Sequence, residues 1–185
     1  MQTYDLMELK QACKMLFKTR CFGVNYGCIS AKINSDSFLI SQKDLILNEP
    51  KDEDFCMLMS NKDLRWEQAS EDAQIHFDIY SHHSEAKFVA FSRSPNLLAY
   101  MEGKDVLDFK NIYRKYTEEE VQIYKVEQRQ DYILKLKNTA HLHFKKRLLI
   151  IEGIGAYSYA RSLDELVFAL SELEYLSLVK LLRAK

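Results

Sequence analysis

Apolar residues recur at helical spacing through the first segment of the chain. Over residues 5–19, Leu6, Leu9, Cys13, Leu16 and Phe17 fall on one side, and Lys10, Lys14 and Lys18 on the other. This is the pattern of an amphipathic helix. Gly23 and Gly27 then mark a turn region. Ile29 to Ile33 and Ser37 to Ile40 read as two strands of a hairpin turning through Asn34-Ser35-Asp36. Phe55 to Met59 is a short apolar run, and Asn61-Lys62-Asp63 supplies the next turn. Ser70 is placed to cap a helix reaching about Ser81, with Ile75, Phe77 and Ile79 toward the core. Phe88 to Phe91 predicts a buried strand. Ser94-Pro95 opens another helix, with Ser as N-cap and Pro at the first helical position; it carries Leu97, Leu98 and Met101 and stops at Gly103.

Residues 104–127 show less periodicity. Gln122 to Val126 suits a strand, and Thr117-Glu118-Glu119-Glu120 suits the start of a short helical turn. Gln128 to about Ala140 predicts a helix through Tyr132, Ile133 and Leu136, and Arg147 to Ile151 an apolar strand. Ser162-Leu163-Asp164-Glu165 is a capping box. It starts a long terminal helix with Leu166, Leu170, Leu173, Leu176 and Leu181. Helices and strands are thus mixed along the chain, and the hairpin rules out a purely parallel sheet. The expectation is an α/β sandwich with a central mixed, mainly antiparallel sheet flanked by helices.

Composition narrows the class without naming an activity. The 185 residues suit one domain, 1–185, and 47% hydrophobic with 29% charged residues is ordinary for a soluble protein. A formal net charge of -1 gives no global attraction to nucleic acid or anionic membrane; the short basic run Lys145-Lys146-Arg147 reads as a solvated strand entrance. Five Gly and two Pro leave no flexible linker. The first residues lack a basic stretch followed by an apolar one, and no apolar run reaches the roughly 20 residues of a membrane span. A cytoplasmic location is the default expectation. Cys13, Cys21, Cys28 and Cys56 form no Cys-x-x-Cys pair and read as reduced, mostly buried thiols.

Three stretches carry a family signal: Tyr26-Gly27-Cys28-Ile29-Ser30, Val89-Ala90-Phe91-Ser92-Arg93-Ser94-Pro95 and Leu148-Leu149-Ile150-Ile151-Glu152-Gly153. In order and spacing they resemble the landmark motifs of the class II aldolase/adducin family, and the similarity runs from about residue 5 to the end. The resemblance implies a central sheet flanked by helices, assembled as a tetramer with active sites near subunit interfaces. In the family's zinc enzymes the second stretch reads like Val-His-Thr-His-Ser-Pro and the third like Leu-Leu-x-x-His-Gly, and three histidines hold the metal. Here those positions correspond to Phe91, Arg93 and Glu152. Phe91 has no donor atom, Arg93 brings a cation that opposes a divalent ion, and one carboxylate is not a site. No zinc is expected. Without it the enediolate of an aldol reaction lacks its electrophilic stabiliser. If the resemblance holds, residues 91, 93 and 152 converge, and the opposite charges at 93 and 152 predict a salt bridge, or a hydrogen-bonded contact through water, plugging the former metal position with Phe91 packed beside it.

The rest of the family's pocket is half present. Gly27 matches the phosphate-cradling segment, but Cys28 replaces an Asn. Ser41-Gln42-Lys43-Asp44 keeps a hydroxyl at Ser41 and adds a cation at Lys43, while Asp44 replaces a Gly. Ser70, Glu71 and Asp72 match a Ser-Ser-Glu segment whose Glu works as acid/base. Aligned by Ser-Glu the counterpart is Glu71, and aligned back from His76 it is Asp72. Two acids after a serine are also what a helix N-terminus favours by itself.

The five histidines do not rebuild the lost triplet on sequence grounds. His82-His83 read as a surface turn, His141 and His143 as diverging at a helix end, and His76 as one turn from Asp72. Tyr157 and Tyr159 alternate after a strand and read as a subunit contact. The leading expectation is a metal-free, non-catalytic, oligomeric binding or interaction module. One alternative is a divergent aldolase- or epimerase-like enzyme on a small sugar phosphate, with Glu71 or Asp72 as acid/base and Arg93 or Lys43 replacing the metal's charge. Another is a small-anion sensor using Arg93.

Overall fold

A computed structural model describes residues 3–44, 46–110, 120–127, 131–145 and 147–184. The elements run α1 (Thr3–Lys18), β1 (Cys28–Lys32), β2 (Ser37–Ser41), β3 (Phe55–Met59), α2 (Ala73–His82), β4 (Phe88–Ser92), α3 (Pro95–Met101), β5 (Val106–Asp108), β6 (Glu120–Tyr124), α4 (Tyr132–Leu136), β7 (Leu148–Ile151), β8 (Gly155–Ala160) and α5 (Leu163–Arg183). Short 3-10 turns lie at Asp52–Asp54, Leu64–Glu67 and Ala140–His143. The strands form one eight-stranded sheet in the order β3-β2-β1-β4-β8-β7-β6-β5. All pairings are antiparallel except β6 with β7. The expected mixed, mainly antiparallel α/β sandwich is what the chain adopts.

Alternation along the central strands sorts the core into two layers. Val89 and Phe91 of β4, and Tyr157 and Tyr159 of β8, point with Ile75, Ile79 and Tyr80 of α2 into one face. Phe88 and Ala90 point the other way, onto Leu9, Cys13 and Leu16 of α1 and Leu166 and Leu170 of α5. Further along the sheet, Leu148, Ile150 and Ala156 pack on Leu97 and Met101 of α3 and Leu173 and Leu176 of α5. All four cysteines are free and buried, as expected. Among the described residues, no helix is long and apolar enough to cross a membrane.

Several local expectations are corrected. Ser70 does not cap α2: the N-cap position is Asp72, and the Ser70 hydroxyl instead accepts the Asp72 N–H at 3.3 Å. The helix expected over 128–140 is one short turn, α4, followed by the 3-10 turn at Ala140–His143. Thr139 Oγ1 donates to the Lys135 carbonyl at 2.7 Å, competing with the helical ladder. Residues 117–119 and 128–130 of these expectations lie outside the described residues. Strands β5 and β8 were not foreseen. In β8, Tyr157 and Tyr159 are buried inside the monomer, because α2 and Phe144 cover the sheet face they project from, so they are core residues and not a subunit contact. Gly155 opens β8 at φ +150°, where a Cβ would come within 2.2 Å of the Ser92 carbonyl oxygen.

Ser94 and Pro95 start α3 as expected, but no side-chain cap comes from Ser94. The cap comes from α5. The buried Glu174 accepts the N–H groups of Asn96 at 3.2 Å and Leu97 at 3.1 Å, and the Asn96 side-chain amide at 2.7 Å. An anion on the first N–H groups of a helix satisfies donors that otherwise have no partner. Glu174→Ala is therefore expected to lower unfolding free energy by about 1–3 kcal/mol in urea denaturation, and Glu174→Gln by clearly less, because an amide oxygen still accepts one of these bonds.

Candidate functional site

The chain leaves α1, turns through 23–27 and enters β1, and this turn forms one wall of a cavity of about 260 Å³. Gly27 is required there. Its φ is +132°, and a Cβ would sit 2.5 Å from the Phe22 ring. The opposite walls are the segment after β2, the start of α2, the end of β4 and Tyr132 of α4. Lys43 and Arg93 supply positive charge, Asp44, Glu71 and Asp72 supply carboxylates, and Ser70 and Tyr132 supply hydroxyls, with Phe91 as the apolar surface.

Six of the expected site residues, Gly27, Lys43, Ser70, Arg93 and both acids of the Glu71/Asp72 pair, thus line one cavity, and Phe91 lines it with them. Ser41 and Glu152 stand apart from it. Ser41 is buried between β1 and β2, where its hydroxyl accepts the Ile29 N–H at 3.2 Å and donates to Cys28 Sγ at 3.5 Å. Glu152 lies on the turn after β7, where its N–H donates to the Tyr124 carbonyl at 3.0 Å. The expected Arg93–Glu152 ion pair is not formed. The Arg93 guanidinium instead lies over the Tyr26 ring, 5.1 Å from its centroid. An aromatic face satisfies a half-solvated cation without demanding a buried anion.

The two acids, indistinguishable in sequence, occupy opposite environments. Glu71 is exposed at the cavity wall. Asp72 is buried. Its Oδ1 accepts from Tyr132 Oη at 3.0 Å and, very closely, from Tyr157 Oη; its Oδ2 accepts from Ser70 Oγ at 3.1 Å. Burial pushes the Asp72 carboxyl above the ordinary 3.8, and the hydroxyl donors pull it back without prevailing. The same burial, with the Asp72 charge beside them, raises the Tyr132 and Tyr157 phenols, so both stay protonated and donate. The Phe91 ring packs on Tyr157, centroids 4.7 Å apart, and on Tyr132 at 6.4 Å. Behind this cluster His76 is fully buried and pushed down to about 3 by desolvation. Its Nδ1 bonds Ser30 Oγ at 2.7 Å, which bonds Tyr80 Oη at 2.7 Å. His76 therefore pairs with β1, not with the Asp72 carboxylate, and serves as a neutral strut.

A zinc ion does not fit the position that the family motif implies. Phe91 presents a ring, Arg93 a cation seated on Tyr26, and Glu152 lies outside the cavity. A different donor set, not among the sequence-based candidates, does converge: Asp78, His82 and His141 bring ligand atoms within 4.8 Å of one another. The signal was available in part, since Asp78 and His82 are four apart on a helix. The 3-10 turn that returns His141 to them was not.

Residues 7–181 match the family model of the Class II Aldolase and Adducin N-terminal domain. The chain belongs to the class II aldolase and adducin family. It is similar in fold to the L-fuculose-1-phosphate aldolase of Thermus thermophilus, with a TM-score of 0.81 and 16% identity over 96% of this chain and 93% of that one. It is also similar to a sugar-phosphate aldolase from Thermotoga maritima (TM-score 0.75, 16% identity, 97% and 94% covered). A third similar structure is the N-terminal class II aldolase domain of a conserved protein from Thermoplasma acidophilum (TM-score 0.68, 12% identity, 96% and 93% covered). No curated protein matches the chain in sequence. Identities this low show a shared fold.

The raised Asp72 carboxyl has a signed consequence. The folded state holds this proton more tightly than the unfolded state, so from about the ordinary 3.8 upward the unfolded chain releases it first and stability falls with pH. Asp72→Asn is expected to remove that part of the decline in urea denaturation at stepped pH. Tyr157→Phe, which deletes a donor to the charged form, should extend the decline to higher pH.

Proposed function

We propose that this family member is a non-catalytic, metal-independent binding module, whose cavity between the 23–27 turn, β4 and α2 takes a small phosphorylated or otherwise anionic ligand. The observation that carries the reading is the state of Asp72. A general base needs a carboxylate free to reach a substrate proton; here the Asp72 carboxylate is buried and bonded to three internal hydroxyls. Those bonds make Asp72 the pin between α2, α4 and β8. Phe91 turns the family's metal-ligand position into an apolar wall. What the cavity offers a ligand is charge, from Lys43 and Arg93, and hydrogen bonding, from Ser70, Tyr132 and the exposed carboxylates of Asp44 and Glu71. Such a set suits a compound with one anionic end and a hydroxyl-bearing end. The solved relatives named as sugar-phosphate aldolases support that ligand class.

The exposure of Glu71 at the same wall supports a second reading, an enzyme of this fold acting on a small sugar phosphate with Glu71 as acid/base and Arg93 or Lys43 standing in for the metal's charge.

The test is a thermal-shift and calorimetric screen of triose to hexose phosphates against the purified chain, with inorganic phosphate as control. The expected outcome is a stabilising sugar phosphate whose affinity drops about tenfold or more in Arg93→Ala, the loss of one charge-assisted contact of about 1.4 kcal/mol. Product formation from a bound compound, abolished in Glu71→Gln with binding intact, would decide for the enzyme instead.

The resemblance further supports a homo-oligomer, with a tetramer favoured, and a cytoplasmic location stays the default reading of the sequence. Phe168, Tyr175 and Leu182, at steps of seven along α5, are each more than half exposed and give an assembly an apolar stripe to cover. Light scattering at micromolar concentration is expected to return a multiple of 21.8 kDa. A monomer mass would refute the assembly.

A further inference from the structure

We propose that Asp78, His82 and His141 form a binding site for a divalent transition metal of the zinc class, separate from the cavity described above and independent of its reading. Asp78 and His82 sit one turn apart on the second half of α2, and His141 comes from the 3-10 turn at Ala140–His143. The Asp78 carboxylate is almost fully buried, with 4% of its side chain exposed. Among the described residues no Lys or Arg pairs with it; its charged-type partners are the two imidazoles. His141 Nδ1 lies 2.9 Å from Asp78 Oδ2 and 3.1 Å from Oδ1, and His82 Nδ1 lies 3.4 Å from the same Oδ1, which is therefore the vertex both rings share. Donor atoms around a tetrahedral zinc are about 3.3 Å apart when the bonds are about 2.0–2.2 Å. Two edges of such a polyhedron are therefore already set.

The chemistry of the set favours a metal over a purely hydrogen-bonded cluster. A buried carboxylate without a cation is costly, and the two imidazoles beside it supply the nitrogen donors that zinc prefers; His82 Nδ1, now 2.9 Å from the Asp78 backbone carbonyl, exchanges that contact for the ion. The His141 N–H also donates to Asp78 Oδ2 at 2.9 Å, which fixes the carboxylate's orientation from outside the ligand set. The two rings stack at 3.5 Å with planes 7° apart. To share one ion they must tilt, a rotation about a broad ring torsion. Each histidine must also carry its proton on Nε2, leaving the Nδ1 lone pair for the metal. His82 is half exposed, so water can take up its Nε2–H. Three protein ligands leave a position for water. The ion would staple the end of α2 to the turn that follows α4, and α4 carries Tyr132 onto Asp72 at the other end of α2.

The deciding experiment titrates the metal-stripped full chain with Co²⁺ alone and reads its ligand-field bands. One equivalent bound in low-coordinate form, displaced by one equivalent of Zn²⁺, is expected. His82→Ala should weaken binding more than tenfold. Because its side chain is half exposed, this variant keeps the fold, which near-ultraviolet circular dichroism checks. Asp78→Asn and His141→Ala should act likewise, and Glu152→Gln should bind as the parent does. Zn²⁺ should raise the unfolding midpoint of the parent and not of His82→Ala. Absence of bands, binding that survives His82→Ala, or binding lost instead in Glu152→Gln, His83→Ala or His143→Ala would each overturn the site.

Discussion

Asp72 brings a carboxylate into the layer between the sheet and α2, and three hydroxyls hold it there. Burying such a group without partners costs several kcal/mol, so the residues around it are not free to vary independently. Tyr157 must rise from the middle of β8, Tyr132 must come down from α4, and Ser70 must lie just ahead of the helix. Phe91 completes the arrangement by packing on both tyrosine rings. The contact ties together three elements distant in sequence, and it lies at the floor of the cavity. Stability and site geometry therefore rest on the same few atoms. This is why the pH dependence of folding reports on the pocket.

The scaffold was legible because its signals are local. Residues 5–19 show a clean helical stripe, Asn34-Ser35-Asp36 marks the hairpin, and Ser162 does accept the Glu165 N–H at 3.3 Å as a capping serine should. What was missed is non-local. Strand β8 reads Gly-Ala-Tyr-Ser-Tyr-Ala, a small-residue strand flanked by β4 and β7, and its tyrosines read as interface residues because only the tertiary packing shows that α2 and Phe144 cover their face. The cap of α3 comes from Glu174, seventy-eight residues after Asn96, which no local pattern reveals. Ser70 was misread for a related reason: its hydroxyl is used to position Asp72, a task that looks identical to capping in sequence.

The candidate site was legible as a set of residues and not as a geometry. Gly27, Lys43, Ser70, Glu71, Asp72 and Arg93 do converge with Phe91. The ion pair expected of Arg93 was an inference from charge alone. It assumed that residues replacing three ligands of one ion keep facing one another. A metal holds its ligands together, and once the donors are lost nothing obliges their replacements to meet. Arg93 has found the Tyr26 ring, and Glu152 the β7–β8 turn.

The same reasoning runs in reverse for the histidines. In sequence, His82 and His141 are far apart, and a helix expected through residue 140 would have turned the latter away. The helix ends early, and a buried carboxylate on the neighbouring helix is what the returning turn meets. A buried charge is a constraint on every chain segment that passes it. At Asp72 the constraint is met by neutral hydroxyls, which leave a pinned, hydrogen-bonded group. At Asp78 it is met by two imidazoles, which are both hydrogen-bond donors and metal ligands. The two aspartates are six residues apart on one helical segment, and the donors that face them separate a structural role from a site for a cation.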